Sequence, residues 1–357
     1  MVRCLLPLLL LAVPAALPAA PPREPFEDAV DNGLAYLAKS QTRAGGWSPY
    51  IVPAGAGRDG DPALTALAAM AFLSAGHVPG EGKYAPAVER GIRFVLDAQR
   101  DNGLFAHPDF GSIEMYSHGI CTLMLAEAAG MTDDRTGDEI KGRLERAVKV
   151  ILKAQREAGP DAGGWRYRAL VQPGDPPPHA DLSVTGWQLM ALRAARNVGC
   201  DVPRSAVAAA VEYVKRCHDP KLGAYTYTVG GNVTPACTGV GILSLELAGK
   251  EHHKTHEALR AGAFLLQHPP EENRPHFFYG VYYTAQAMFQ LGDNYWAGYR
   301  PRLHGLLLKA NPPRANGAWY GKAADDAQYG PAYATAMAVL ALTVEYRFLP
   351  IYQREER

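Results

Sequence analysis

QTRAGGW, residues 41–47, closes a helix-period segment with glutamine, glycine and an aromatic ring. The same order returns as QRDNGLF at 99–105 and QREAGPDAGGW at 155–165, and glycine before an aromatic ring returns without the glutamine as KLGAY at 221–225 and ANGAW at 315–319. The rings Trp47, Phe105, Trp165 and Tyr225 stand about 60 residues apart, and Trp319 ends a later, looser copy. Recurrence at a long fixed period marks a chain built from one repeated supersecondary unit. A ring present at every turn points to packing rather than to repeated copies of an active site.

Outward from the turn, each unit reads as two helices. The segments before the turns, GLAYLAKSQ, GIRFVLDAQ, AVKVILKAQ, AVEYVKRCH, AGAFLLQHP and HGLLLKAN, carry charge on one side. They predict helices with one wet face. The segments after the turns, ALTALAAMAFL, SHGICTLMLAEA, SVTGWQLMALRAA, CTGVGILSLEL, YYTAQAMFQL and YATAMAVLALTV, are apolar and small on all sides. Such helices are buried all round. Six outer and six inner helices in alternation predict an all-α fold, a closed (α/α)6 toroid. It forms a single domain over 26–350, with repeats at about 26–76, 85–130, 145–199, 205–249, 256–292 and 302–348. The inner helices run parallel, so their N-terminal ends gather at one mouth with free N–H groups and partial positive charge.

Aligning the inner helices stacks Thr65, Thr185, Thr238, Thr284 and Thr335 in one column, with His118 in the second repeat. Four residues earlier stand Asp61, Glu114, Asp181, Thr234, Gly280 and Pro331. Asp61-Pro62 reads as a helix cap followed by proline at the first helical position. Asp181 has the same placement and is open to both a cap reading and an acid reading.

Composition narrows the function. The 357 residues are 48% hydrophobic and 20% charged, with 36 Lys+Arg against 36 Asp+Glu. A balanced charge with no long basic run argues against nucleic acid as a partner. Residues 1–22, MVRCLLPLLLLAVPAALPAAPP, read as a secretory signal peptide, which predicts an exported chain, periplasmic or extracellular. No other stretch is long and apolar enough for a transmembrane segment. Cys200 and Cys217 flank one helix and are too far apart to bond, so free buried thiols are expected at Cys121, Cys200, Cys217 and Cys237.

The order Arg90-Gly91, Phe94-Val95, Gln99, Gly103, Phe105 resembles the QW-type repeat of squalene cyclases and protein prenyltransferase β subunits. Asn32-Gly33 through Gln41, Gly45 and Trp47 follows it too, as does Arg146-Ala147 through Gln155, Gly163 and Trp165. The resemblance spans nearly the whole chain after residue 22. It implies the toroid and an isoprenoid-type cavity. The prenyltransferases carry Asp-x-Cys before Trp-Gln, where Asp and Cys bind zinc. Here the stretch is Asp181-Leu182-Ser183 with Trp187-Gln188. A serine hydroxyl is a poor zinc ligand. His276 and His179 are only loose matches for the third ligand, so zinc is not expected and no other cofactor is implied. The cyclases carry Asp-x-Asp-Asp-Thr-Ala. Asp181 to Gly186 and Asp61 to Ala66 keep the first Asp and the Thr but lose both middle acids.

Four residues are candidates for chemistry: Asp181, His118, Glu114 and Asp61. Glu114 and His118 lie one helical turn apart and read either as a general acid–base pair or as a satisfied buried histidine beside a surface acid. The candidate ligand-cavity residues are Tyr116, Ser183, Thr185, Trp187, Thr238, Tyr282, Thr284 and Tyr333. Tyr116, Tyr282 and Tyr333 share a column and read either as cation-facing rings or as core. EHHKTHE at 251–257 places His252 and His256 at a metal-capable spacing, but no third ligand accompanies them. The leading expectation is an exported toroid that binds or transforms a small isoprenoid-like hydrophobic ligand with degenerate catalytic motifs. The alternatives are a non-catalytic scaffold that binds a protein surface, and an (α/α)6 polysaccharide lyase or hydrolase using acids such as Asp59, Asp61, Asp325 and Asp326 with Trp319.

Overall fold

The computed structural model describes residues 23–49, 60–107, 113–169 and 179–353. Residues 1–22, with Cys4 and the signal-peptide reading, lie outside the described residues, as does Asp59. The outer helices are α1 (Pro25–Ser40), α3 (Ala85–Asp97), α5 (Asp134–Ala154), α7 (Arg204–Arg216), α9 (His256–Gln267) and α11 (Asp293–Gly305). A π-helical stretch, Leu306–Ala310, extends α11. The inner helices are α2 (Pro62–Ser74), α4 (Glu114–Ala129), α6 (Leu182–Asn197), α8 (Pro235–Ala248), α10 (Phe277–Leu291) and α13 (Gly330–Leu342). A short helix, α12 (Ala324–Gln328), precedes α13, and β1 (His218–Asp219) pairs with β2 (Ala224–Tyr225) at the fourth turn.

The inner helices form a closed ring. Each packs on the next, and α13 packs back on α2 while α1 packs on α13. Every residue of α2 but Ala63 is buried, whereas α3 buries only Ala85, Ala87, Val88, Gly91, Ile92, Val95 and Leu96. This is the contrast that the two helix types predict. The fold class is therefore the α/α toroid. No described helix is long and apolar enough to cross a membrane. The four cysteines at 121, 200, 217 and 237 are free and buried.

Where it occurs, the repeated turn holds an outer–inner pair together, and in the first three units it also ties that pair to the next. The turn glutamine spans two units: Gln41 Nε2 donates to Gly45 O and to Ala87 O on α3, each at 2.8 Å. Gln99 reaches Gly103 O and Arg143 O, and Gln155 reaches Gly163 O and Ala206 O. Arg146 Nη2 closes the link by donating to Gln99 Oε1 at 2.8 Å, and Arg90 does so to Gln41. The indole N–H of Trp47, Trp165 and Trp319 caps the outer-helix carbonyls of Leu37, Ile151 and Leu307.

The threonine column serves the same turn. Thr65, Thr185, Thr238 and Thr335 accept the backbone N–H of Trp47, Trp165, Tyr225 and Trp319 at 2.9–3.2 Å. In the fifth unit Thr284 meets the Tyr299 hydroxyl at 2.5 Å instead. Thr185, Thr238 and Thr284 are thus structural clamps on the outward side of the inner ring, not lumen-facing ligand contacts.

The lumen is filled. Trp187 on α6 reaches past α8 to lie flat on Tyr282 of α10, with ring centres 5.6 Å apart, and meets Tyr283 edge-on at 5.3 Å. From the opposite end the C-terminal segment folds inward. The Tyr352 hydroxyl lies 2.5 Å from that of Tyr282, Gln290 Nε2 donates to Tyr352 O, and Ile351 N donates to Glu127 Oε2 at 3.0 Å. Burial pushes the Glu127 carboxyl up to about 8, which matches a neutral acid sealed beneath this plug.

The turn glycines have positive φ and no room for a side chain. At Gly317, φ +85°, an added Cβ would stand 2.2 Å from Asn32 O, at the seam between last and first units. Gly80 has φ +79° with nothing within 4 Å. Gly80→Ala is expected to cost about 1 kcal/mol of backbone strain. Gly317→Ala is expected to cost at least ~2 kcal/mol more, because the seam must open. Chemical denaturation of the two variants tests this; equal losses would contradict the seam assignment.

Candidate functional site

The mouth at the N-terminal ends of the inner helices carries a connected polar cluster. Asp181 caps α6, accepting from Val184 N at 2.9 Å. Its Oδ1 also accepts the Ser183 hydroxyl at 2.5 Å, and its Oδ2 accepts from Arg166 Nη1 at 2.8 Å. Because Ser183 spends its only proton on Asp181, Tyr116 is the donor in the 2.5 Å Tyr116–Ser183 contact. Arg166 also donates to the Tyr227 hydroxyl at 2.9 Å and lies 4.2 Å over the Tyr167 ring. Tyr167 and Tyr227 share a hydrogen bond of 2.5 Å. From α10, Tyr279 OH donates to Ser183 O at 3.3 Å.

Asp181 is fully buried, and burial raises its carboxyl against the pull of Ser183, Val184 and Arg166. With both oxygens engaged, it is a cap and network hub rather than an acid with a proton to give. Asp61 caps α2 through Leu64 N at 2.8 Å and is likewise raised by burial.

Of the two readings of Glu114 and His118, the acid–base pair does not form and the satisfied buried histidine does. Glu114 turns to the loop and accepts from Ala169 N at 2.7 Å. His118 is fully buried on the outward side of α4. Its Nδ1 accepts from Phe105 N at 3.1 Å and its Nε2 meets Ala147 O at 3.0 Å, so Nε2 carries the proton. The histidine is thus the second repeat's version of the threonine clamp. Burial pushes its pKa down to about 4, holding it neutral.

The remaining cavity candidates divide in two. Trp187 and Tyr282 belong to the packed lumen. Tyr116 and Tyr333, with Tyr167, Tyr227, Tyr279 and Tyr329, stay partly accessible at the mouth. Burial raises the Tyr116, Tyr279 and Tyr333 phenols well above their ordinary value, yet each residue keeps part of its surface exposed. These tyrosines line the mouth side of the toroid and are partly exposed there. One wall holds Asp181. On another, α12 places Asp325 and Asp326 in electrostatic reach of Tyr329 and Tyr333. Asp326, 1% exposed, was named above only among acids of the carbohydrate alternative. Its signal was position: it stands between a turn aromatic and an inner helix, as Asp61 and Asp181 do.

The zinc site of prenyltransferases does not fit these residues. Asp181 has no oxygen to spare, Ser183 stands for the thiolate, and no group of three or more His, Cys, Asp or Glu close enough for a metal occurs among the described residues.

No family model and no curated protein matches the chain. Solved structures match its shape. An inactive variant of an alpha-1,6-mannanase from Salegentibacter sp. HEL1_6, in complex with alpha-1,6-mannotriose, superposes with a TM-score of 0.67 at 11% identity, over 90% of this chain and 99% of that one. The type II terpene cyclase MstE from Scytonema gives 0.58 at 14% identity, over 90% and 99%. A Candida albicans protein geranylgeranyltransferase-I complexed with GGPP gives 0.52 at 10% identity, over 88% and 91%. The α/α toroid is thus shared with glycoside-cleaving and isoprenoid-handling proteins, and identities this low speak for the fold alone.

The state of His118 is testable. Its folded pKa, about 4, lies below the ordinary 6.5. The unfolded chain therefore binds the extra proton first, and stability falls as pH drops from about 6.5 to about 4. The loss is roughly 3 kcal/mol at full titration. His118→Thr restores the column's usual acceptor, so it should gain on wild type across that window in pH-dependent denaturation. Parallel curves would contradict a buried neutral imidazole.

Proposed function

We propose that the chain is a carbohydrate-binding α/α toroid whose ligand sits in the tyrosine-lined mouth. The observation that carries this reading is the division of the aromatics. The rings of the lumen, Trp187, Tyr282 and Tyr283, are packed against one another, while those of the mouth are accessible and lie beside carboxylates. A long hydrocarbon needs a deep apolar cavity, and the middle of this toroid is filled. A sugar needs flat rings to stack on and fixed acceptors for its hydroxyls, which the mouth offers in Tyr116, Tyr279, Tyr329, Tyr333 and the partly exposed Asp325.

The likeness to a mannanase seen with alpha-1,6-mannotriose supports this reading at the level of the fold. That enzyme's inactive form carries asparagines at two consecutive aspartates, and this chain also has consecutive aspartates at its mouth, Asp325-Asp326. Its other such pair, Asp133-Asp134, starts the outer helix α5 and caps it through Thr136 N. Membership of the QW-type repeat family, with the isoprenoid ligand it implies, is the competing reading. The substituted Ser183 and the missing middle acids weigh against its chemistry. Export through residues 1–22 is part of the proposal and suits an extracellular glycan.

The test is a binding panel by saturation-transfer NMR: alpha-1,6-mannotriose, cellotriose, maltotriose and xylotriose against farnesyl diphosphate and solubilised squalene. At least one trisaccharide should bind, and Tyr116→Ala and Tyr333→Ala should each weaken it about tenfold, the loss of one stacking contact worth ~1 kcal/mol or more. Binding of squalene or farnesyl diphosphate with no trisaccharide bound would overturn the reading.

A further inference from the structure

The two carboxylates of α12 are held in different ways. Asp325 Oδ2 accepts the backbone N–H of His276 at 2.5 Å and lies 2.9 Å from His276 Nδ1. The imidazole itself is 64% exposed. His276 adopts a left-handed backbone, φ 60°, as the residue capping α10. Such a conformation is strained for a residue with a side chain and persists where surroundings enforce it. Asp326 Oδ2 accepts from Phe277 N at 2.8 Å and Phe278 N at 3.4 Å, so one oxygen satisfies the start of α10. Its Oδ1 is buried with no partner.

A cap needs only one oxygen. Leaving the other buried and unpaired is costly in a folded protein, and such groups call for a ligand or a reaction. The surroundings favour the protonated carboxyl more than water does. Burial first, and then the neighbouring Asp325 charge, push the Asp326 carboxyl up to about 6, while its backbone donors pull it down. Adjacent acids whose environments drive them apart form the usual division between proton donor and charged partner. The rings of Tyr329 and Tyr333, 5.1 Å apart, flank the pair on the mouth side and would stack a sugar beside it.

We propose that Asp326 is the general acid, and the His276–Asp325 pair the general base, of glycosidic-bond hydrolysis in the mouth. This rests on the carbohydrate reading given above. A bound sugar displaces the side chains that cover Asp326 Oδ1 in the free protein, and the Oδ1 proton then passes to the glycosidic oxygen as the bond from that oxygen to the anomeric carbon breaks; the leaving sugar departs as an alcohol. The oxygen of a water molecule bonds to the anomeric carbon, and its proton goes to the His276 imidazole, whose positive charge Asp325 stabilises. The imidazolium then loses that proton to solvent and Asp326 regains one. One water is consumed, and nothing is oxidised or reduced.

Asp326→Asn keeps an oxygen for the caps on Phe277 and Phe278 but has no acidic proton. With the same trisaccharides, binding and reducing-end release are measured for wild type, Asp326→Asn and His276→Gln. Wild type should cleave at least one trisaccharide that it binds. Asp326→Asn should lose about 100-fold or more in rate with binding retained, the range of a general acid. His276→Gln should lose about tenfold or more. Cleavage by wild type should fall as pH rises through about 6, because Asp326 must be protonated. The titratable groups facing it are Asp325, Tyr329, Tyr333 and, through Asp325, His276. If trisaccharides bind but wild type does not cleave them, or if Asp326→Asn cleaves as wild type does, the acid assignment is overturned while the binding reading stands. If none binds, both fall. Should Asp326→Asn fail to fold, His276→Gln and Asp325→Asn decide the matter.

Discussion

The structure depends on one recurring hydrogen bond, from the backbone N–H of a turn aromatic to an acceptor in the first turn of the next inner helix. Thr65, Thr185, Thr238 and Thr335 accept it with a hydroxyl, and His118 with an imidazole nitrogen. The bond fixes where the outer helix stops and the inner one starts. In the first three turns a glutamine then reaches the following outer helix and latches the unit to its neighbour. Repetition of one latch brings the last unit round to the first, where Gly317 meets Asn32. Closure in turn gathers the inner helix N-termini at a single mouth and places their caps, Asp61 and Asp181, on its rim.

Much of this was legible in the sequence, because a repeated turn leaves a repeated pattern. The order Gln, Gly, aromatic located the turns, the small apolar segments located the inner ring, and Asp61-Pro62 announced a cap. The site was less legible. His118 broke the threonine column and looked chemical beside Glu114, yet threonine and neutral histidine are interchangeable as acceptors of one N–H. Helical spacing placed Glu114 and His118 on one face but could not show that backbone groups, Ala169 N and Ala147 O, would claim them separately. Tyr299 standing in for a missing turn had no pattern to announce it. The inward fold of Leu349–Tyr352 had none either, since it is a single event outside the repeats.

That inward fold changes what the toroid offers a ligand. Tyr352 and the Trp187–Tyr282 stack occupy the space in which a hydrocarbon would lie. What stays accessible at the mouth is a set of tyrosines, Tyr116, Tyr167, Tyr227, Tyr279, Tyr329 and Tyr333. Ser183, at the place where the prenyltransferase motif has its cysteine, relays a hydrogen bond from Tyr116 to Asp181 and helps keep that acid occupied. The carboxyl oxygen left without a partner lies instead on α12, at Asp326.

The most direct test of the mouth as the binding surface is a carbon-13 NMR spectrum of the tyrosine-labelled protein, titrated with a trisaccharide. The account predicts shifts in the ring signals of Tyr116, Tyr279, Tyr329 and Tyr333, with those of Tyr282 and Tyr352 unmoved. Unmoved mouth rings, with shifts at Tyr282 and Tyr352 on adding squalene, would contradict it.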